Sequence, residues 1–183
     1  GQIYNAVKIG DQCWFKENLN VGTLLSSTSR RDNQKNNGVI EKYCFDNDPA
    51  NCEIYGGLYQ WDEAMQYLPF QRTQGICPTG WHIPSYVELW ALKLAVNANS
   101  NALKAIGQGT DRGVGTNTSG FSALLAGYHT NYNDSFINLG DRTDFWSSNE
   151  ARSTIAFGMR LYGYNHAVEL GGASKGGGFS VRC

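Results

Sequence analysis

Cys77-Pro78-Thr79-Gly80-Trp81-His82-Ile83-Pro84, in the middle of the chain, and Gly178-Phe179-Ser180-Val181-Arg182-Cys183, at its end, decide how this sequence is read. Two further cysteines, Cys44 and Cys52, bracket Phe45-Asp46-Asn47-Asp48-Pro49-Ala50-Asn51, a stretch that reads as too short and polar for a helix. A 44–52 bridge would staple a local turn, and a 77–183 bridge would tie the middle of the chain to its end. Such bridges persist only where the environment is oxidising, so the pattern predicts an extracellular, secreted or cell-surface protein. The competing reading is a cytosolic chain with free thiols. Cys13 is left over between Gln12 and Trp14 and reads as a buried thiol, or as the partner of a cysteine outside this sequence.

The bulk numbers agree with that setting. A length of 183 residues predicts one domain over 1–183. Hydrophobic residues at 41% and aromatics at 13% can fill a core, while 22 glycines against 4 prolines predict a loop-rich fold with tight turns. The net charge is −1 and Arg30-Arg31 is the longest basic run, which argues against a nucleic-acid partner. No apolar run approaches the roughly 18 residues of a membrane span, so no membrane insertion is expected. No signal peptide opens the sequence, which implies that one is removed or lies upstream in a larger protein.

Residues 3–9 and 12–15 alternate like strands around Gly10-Asp11 and predict a hairpin. Residues 22–38 lack periodicity and read as an exposed loop, followed by a strand over 39–45. Leu58, Trp61, Met65 and Leu68 recur at spacings of three and four and predict a helix over 57–68. Ser85 with Glu88 makes a capping box that starts a helix running to about Val96. Val87, Leu89, Trp90, Leu92, Leu94 and Val96 are its apolar residues. Short β pieces follow at 121–126, 135–139, 144–148, 155–162, 166–170 and 179–183. The expected class is α+β, two helices with small antiparallel sheets, the termini meeting in one sheet.

Val7-Lys8-Ile9-Gly10-Asp11-Gln12-Cys13-Trp14, Glu17-Asn18-Leu19-Asn20, Tyr43-Cys44-Phe45-Asp46-Asn47-Asp48 and Tyr55-Gly56-Gly57-Leu58-Tyr59-Gln60-Trp61 run in order with the stretch from Gly75 to Pro84. Gly120-Phe121-Ser122-Ala123-Leu124, Phe145-Trp146-Ser147-Ser148 and the closing Phe179-Ser180-Val181-Arg182-Cys183 complete the set. In combination they resemble the Fibrobacter succinogenes major paralogous domain, a family widespread in surface and secreted proteins of Bacteroidetes-type bacteria. The resemblance implies a disulfide-stapled, C-type-lectin-like fold with long irregular loops carrying function, similar also to formylglycine-generating enzymes. Some members are targets of diversity-generating retroelements, which mutagenise the segment between Trp-Ser-Ser and the terminal Val-Arg. Here that candidate variable segment is 149–180. Phe157, Gly158, Met159, His166, Glu169 and Gly176-Gly177-Gly178 depart from the Trp, Asn and Tyr usual in the family, which fits diversification.

The expected ligand-binding residues are Asn149, Arg152, Arg160, Tyr162, Tyr164, Asn165, His166 and Glu169, joined by Tyr128 and Tyr132 from a second aromatic and amide stretch over 128–133. Rigid amphipathic rings beside adaptable polar groups suit a paratope, and also sugar stacking. Strand alternation puts Arg160, Tyr162 and Tyr164 on one face and Met159 and Leu161 on the other. Both stretches are expected at one end of the fold. Asp46, Asp48 and Asn51 have the spacing of a calcium loop without its glycine. The competing reading is that these side chains bond their own backbone. No cofactor is expected, calcium being the one candidate, because the Glu-Pro-Asn, Gln-Pro-Asp and Trp-Asn-Asp tripeptides of calcium-mediated sugar binding are missing. His82, His129 and His166 are scattered and give no zinc pattern. Ser147-Ser148 is not a nucleophile elbow, Asp62-Glu63 and Asp141 with Asp144 read as solvated carboxylates, and Cys13 has no reactive pair, so no enzyme is expected. Trp61, Trp81, Trp90 and Trp146 read as core. The expected function is adhesion or recognition of a surface protein or glycan. The alternatives are a carbohydrate-binding module of a polysaccharide-degrading system and a structural subunit of a larger surface protein or filament, with Cys13 or the strand at 3–9 buried between copies.

Overall fold

The computed structural model describes residues 2–27 and 33–183, so residues 28–32 of the expected 22–38 loop lie outside the described part. The chain opens with the expected hairpin. Strands β1 (Ala6–Ile9) and β2 (Gln12–Phe15) pair antiparallel around Gly10, whose φ of 59° suits glycine. Ile9, Trp14 and Phe15 are buried, but Cys13 is exposed. The expected buried thiol is thus corrected: an apolar sequence neighbour says little about a strand residue, because Trp14 points to the opposite side. Two-residue strands β3 (Thr23–Leu24) and β4 (Glu41–Lys42) pair in parallel. The strand expected over 39–45 is therefore shorter. Tyr43 bridges to Leu58, and Phe45–Asn47 form a single 3-10 turn.

The helices depart from expectation in instructive ways. The stretch between Cys44 and Cys52 leads into α1 (Pro49–Tyr55), with Cys52 buried inside it. Asp48 caps this helix by accepting from the Ala50 amide at 2.9 Å, and Pro49 occupies a first-turn position where its missing N–H is harmless. The helix expected over 57–68 shrinks to one turn, α2 (Trp61–Ala64). Positive φ values at Gln66 and Tyr67 end it, Leu58 belongs to a β-bridge and Leu68 is exposed. Helix α3 (Tyr86–Ala95) starts on the expected capping box: Ser85 Oγ accepts from the Glu88 amide at 3.3 Å, and Glu88 Oε2 accepts from the Ser85 amide at 2.7 Å. Leu89, Leu92 and Val96 turn inward, whereas Val87, Trp90 and Leu94 are exposed on the other face. Trp90 is thus not a core residue, and Trp81 is half-buried against Phe15, ring centroids 4.1 Å apart.

Five strands make the main sheet: β5 (Ala126–Thr130), β6 (Ser135–Leu139), β7 (Arg142–Arg152), β8 (Ile155–Tyr162) and β9 (Val168–Ser174), in the order β6-β5-β7-β8-β9. The sheet is mixed rather than antiparallel, because β5 runs parallel to β7. The strand expected over 121–126 is replaced by a lone bridge at Ala123. Both faces carry core. Phe145, Met159, Leu161 and Val168 pack with Leu89 and Leu92 of α3, while Trp146 and Ala156 pack with Tyr59, Trp61, Met65, Phe179 and Val181. Alternation along β7 thus sends Phe145 to one core and Trp146 to the other.

The two ends of the chain meet, though not in one sheet. The Phe15 amide donates to Cys183 O at 2.9 Å, and the Leu19 amide to Val181 O at 2.9 Å. Both expected bridges are present, Cys44–Cys52 and Cys77–Cys183. They point to an oxidising environment. Among the described residues no helix is long and apolar enough to cross a membrane. Cys77 and Cys183 are 106 residues apart and Cys44 and Cys52 only 8. Loop entropy therefore predicts a loss of about 4.8 kcal/mol for Cys77→Ala/Cys183→Ala and about 2.5 kcal/mol for Cys44→Ala/Cys52→Ala. Urea unfolding of the two double variants checks that order.

Candidate functional site

The alternation expected on β8 is present: Met159 and Leu161 are buried in one core, and Arg160 and Tyr162 are half-buried on the opposite face, the one that carries Trp146. Register places Asp144 of β7 opposite Arg160, and Arg160 opposite Glu169 of β9, while Arg142 faces Tyr162. The buried Asp144 carboxylate accepts from Arg142 Nε at 2.6 Å and Nη2 at 2.8 Å, and from Arg160 Nε at 2.9 Å. These are charge-assisted bonds, one pair of them a two-pronged grip. Burial works against the charge on Arg160, but Asp144 beside it prevails and holds its pKa above the ordinary value. Arg142 lies over the Tyr128 ring, 4.3 Å from its centroid, and 5.8 Å from that of Tyr162. Arg160 Nη1 stands 3.8 Å from Glu169 Oε2. A continuous row therefore crosses β5, β7, β8 and β9. Beside it a notch of about 50 Å³ is lined by Asp144, Gly158, Glu169, Gly171 and Ala173.

Tyr164 extends this row from the turn after β8, 60% exposed and with its ring centroid 5.2 Å from that of Tyr162. That turn is held from behind. Lys104 Nζ donates to Tyr162 O at 2.7 Å and Asn165 O at 2.9 Å, the Thr110 amide to Gly163 O at 2.7 Å, and the Ser100 amide to His166 O at 2.8 Å. A side chain at Gly113 would strike Gly163 O at 2.0 Å, which is why a glycine stands there. Lys104 is fully buried, and burial lowers its pKa to about 8.

The other expected residues are spread more widely. Asn165 Oδ1 accepts from the Ala167 amide at 2.9 Å, and His166 is exposed on the same turn. Asn149 Oδ1 accepts from the Tyr86 amide at 2.7 Å, so it seats the start of α3. Arg152 is at the far end of the sheet, where Ile155 pairs with Ser174. Tyr132 follows Asn131, whose Nδ2 reaches Ser174 Oγ at 3.0 Å. The two aromatic stretches therefore do not share one end, because β5 carries Tyr128 into the row and its turn carries Tyr132 away.

Asp48 and Asn51 bond nearby backbone, Asp48 as the cap of α1 and Asn51 Nδ2 to Phe45 O at 2.9 Å, while Asp46 sits at a φ of 55°. Among the described residues no group of three or more His, Cys, Asp or Glu is placed to hold a metal ion. His82 Nε2 lies 3.0 Å from Glu88. His129 is buried, with Ser27 Oγ 2.9 Å and Asp134 Oδ1 3.9 Å from the same nitrogen, Nε2, and no partner on Nδ1. A hydrolytic relay needs the carboxylate on the opposite nitrogen from the hydroxyl, so these three residues do not form one.

Sequence reasoning missed Arg142 as a site residue and read Asp144 as a solvated carboxylate. Positions 142 and 144 share parity along β7, which was the available signal, but no residue type announces which strand they face. Lys104 gave no signal at all.

The model of one protein family, the Fibrobacter succinogenes major domain, matches the chain over residues 7–183. Searches of curated proteins and of solved structures find no match to it.

Because the folded chain holds the Lys104 proton less tightly than the unfolded chain, whose lysine titrates near 10.4, burial counts against the fold at neutral pH. That cost fades as pH rises from about 8 towards 10.4. The stability difference between the native chain and Lys104→Met should therefore move in favour of the native chain across that window. A flat or opposite trend in denaturation midpoints would sink the account.

Proposed function

The chain belongs to the Fibrobacter succinogenes major domain family, and we propose that it is an extracellular recognition module of C-type-lectin-like fold. Its contact surface is the arginine–tyrosine row of the main sheet, centred on Arg160, Tyr162 and Tyr164 of the candidate variable segment 149–180. Few helices, small sheets beside a curled five-stranded sheet and two disulfides support the fold reading. The disulfides support the extracellular reading.

One observation carries the functional reading. Tyr162 and Tyr164 are adjacent rings presented from a turn whose carbonyls are already bonded from behind, next to arginines already fixed by Asp144. Groups ordered before a partner arrives lose little entropy on binding. Arg and Tyr are also the residues that dominate binding energy at protein interfaces. The small notch beside the row favours a protein surface as partner. A glycan is the second reading, favoured by the exposed Tyr164 ring. Binding rather than catalysis is the proposed role, since the charges of the row are satisfied by one another.

The test is a binding screen of the oxidised domain against glycans and intact bacterial cells, with and without EDTA. Tyr162→Ala and Tyr164→Ala should each cut binding about tenfold or more while shifting the melting temperature by no more than about 2 °C. Undiminished binding, or a collapse in stability, would remove the assignment.

A further inference from the structure

Arg160 is held asymmetrically. Its inner Nε is fixed on the buried Asp144 at 2.9 Å, while its outer Nη1 has Glu169 at 3.8 Å, beyond hydrogen-bond length. Glu169 is 49% exposed on the edge strand β9, so its carboxylate is loosely placed. The hydroxyl of Tyr162 accepts a hydrogen bond from the same guanidinium. Gly158 and Gly171 face one another across β8 and β9, and with no side chain at either position the notch below Arg160 stays open between Asp144 and Glu169. An arginine oriented by an inner acid and a tyrosine hydroxyl, with its outer Nη1 facing a space that a displaceable carboxylate only borders, is arranged to take a carboxylate from outside.

We propose that Arg160 is the anchor for an acidic side chain, Asp or Glu, of a protein partner, and that Glu169 holds its place until the partner arrives. This rests on the recognition reading above and names the chemistry of its partner. With Glu169 turned into solvent, Arg142 and Arg160 face one inner carboxylate, Asp144, and the row carries one net positive charge that an incoming acid neutralises. Tyr162 and Tyr164 flank the anchor and cover the stem of that side chain.

The experiment uses the whole oxidised chain and immobilised poly-L-glutamate, with polygalacturonate as the acidic polysaccharide control, at low ionic strength. The native chain should bind poly-L-glutamate in a salt-sensitive way. Glu169→Gln should bind about threefold to tenfold more tightly, Arg160→Gln should lose binding, and Arg160→Lys should restore part of it. Glu169→Gln changes only an exposed group, so it decides the matter even if Arg160→Gln fails to fold. Equal or weaker binding by Glu169→Gln, no binding by the native chain, or a preference for polygalacturonate would overturn the proposal. If Tyr164→Ala loses cell binding while Glu169→Gln leaves poly-L-glutamate binding unchanged, recognition by this face stands and the acidic anchor falls.

Discussion

The guanidinium of Arg182 is the contact on which the rest of the molecule depends. It is almost completely buried, one residue from the end of the chain, with the ring of Phe121 centred 4.3 Å away and that of Phe145 5.3 Å away. Among the described residues no carboxylate forms an ion pair with it, and Glu17 acts on it only from a distance. Its Nε donates to Asn18 Oδ1 at 3.0 Å, its Nη2 to the same oxygen, and its Nη1 to the Phe121 carbonyl. Burial alone pulls its pKa below the ordinary range. A charge in such a place persists only if its hydrogen bonds are satisfied and the surrounding groups are fixed. Asn18 is fixed in turn, its Nδ2 bonding Tyr55 O at 2.8 Å and Ser180 Oγ at 3.2 Å. One cation therefore joins the segment after the hairpin, the end of α1, the 121 region and the closing residues.

From that point order spreads into the sheet. The closing segment bonds to four different parts of the fold: Gly178 to His129, Phe179 to Tyr59, Ser180 to Asp144 and Trp146, and Val181 to Leu19. The stretch of β7 that receives Ser180 carries Asp144 and Trp146 on one face, Asp144 meeting the arginines and Trp146 stacking on Phe179, ring centroids 4.2 Å apart. The arginine–tyrosine row thus stands on a strand whose backbone is locked by the same segment that Arg182 secures. That is why flexible arginines can hold a fixed geometry there.

Much of this frame was legible from residues alone. The capping box at Ser85 and Glu88 works through chemistry local to one turn, and so does the Gly10 hairpin. β6 and β8 fall where alternation put them. Asp48-Pro49 was an equally local signal for α1, passed over because the two cysteines drew attention to a loop. The spacing of Leu58, Trp61, Met65 and Leu68 misled because such spacing records which residues are buried, not whether one continuous helix buries them. Of the site, Arg160, Tyr162 and Tyr164 could be assigned to a face because parity along a strand is a local property. Their meeting with Arg142 and Asp144 depends on register between strands, and the burial of Lys104 on a distant turn. Neither follows from a local pattern.

The Cys77–Cys183 bridge has a mechanical meaning as well. A chain pulled from either side of its two bridges transmits tension along the shortest covalent path, which crosses the sulfur–sulfur bonds from residue 44 to 52 and from residue 77 to 183. Everything between 78 and 182, including α3, the five-stranded sheet and the arginine–tyrosine row, hangs outside that path as an unloaded loop. Under tension the first elements to feel strain are the hairpin, the last turn of α1 and α2, and the arginine–tyrosine row keeps its shape.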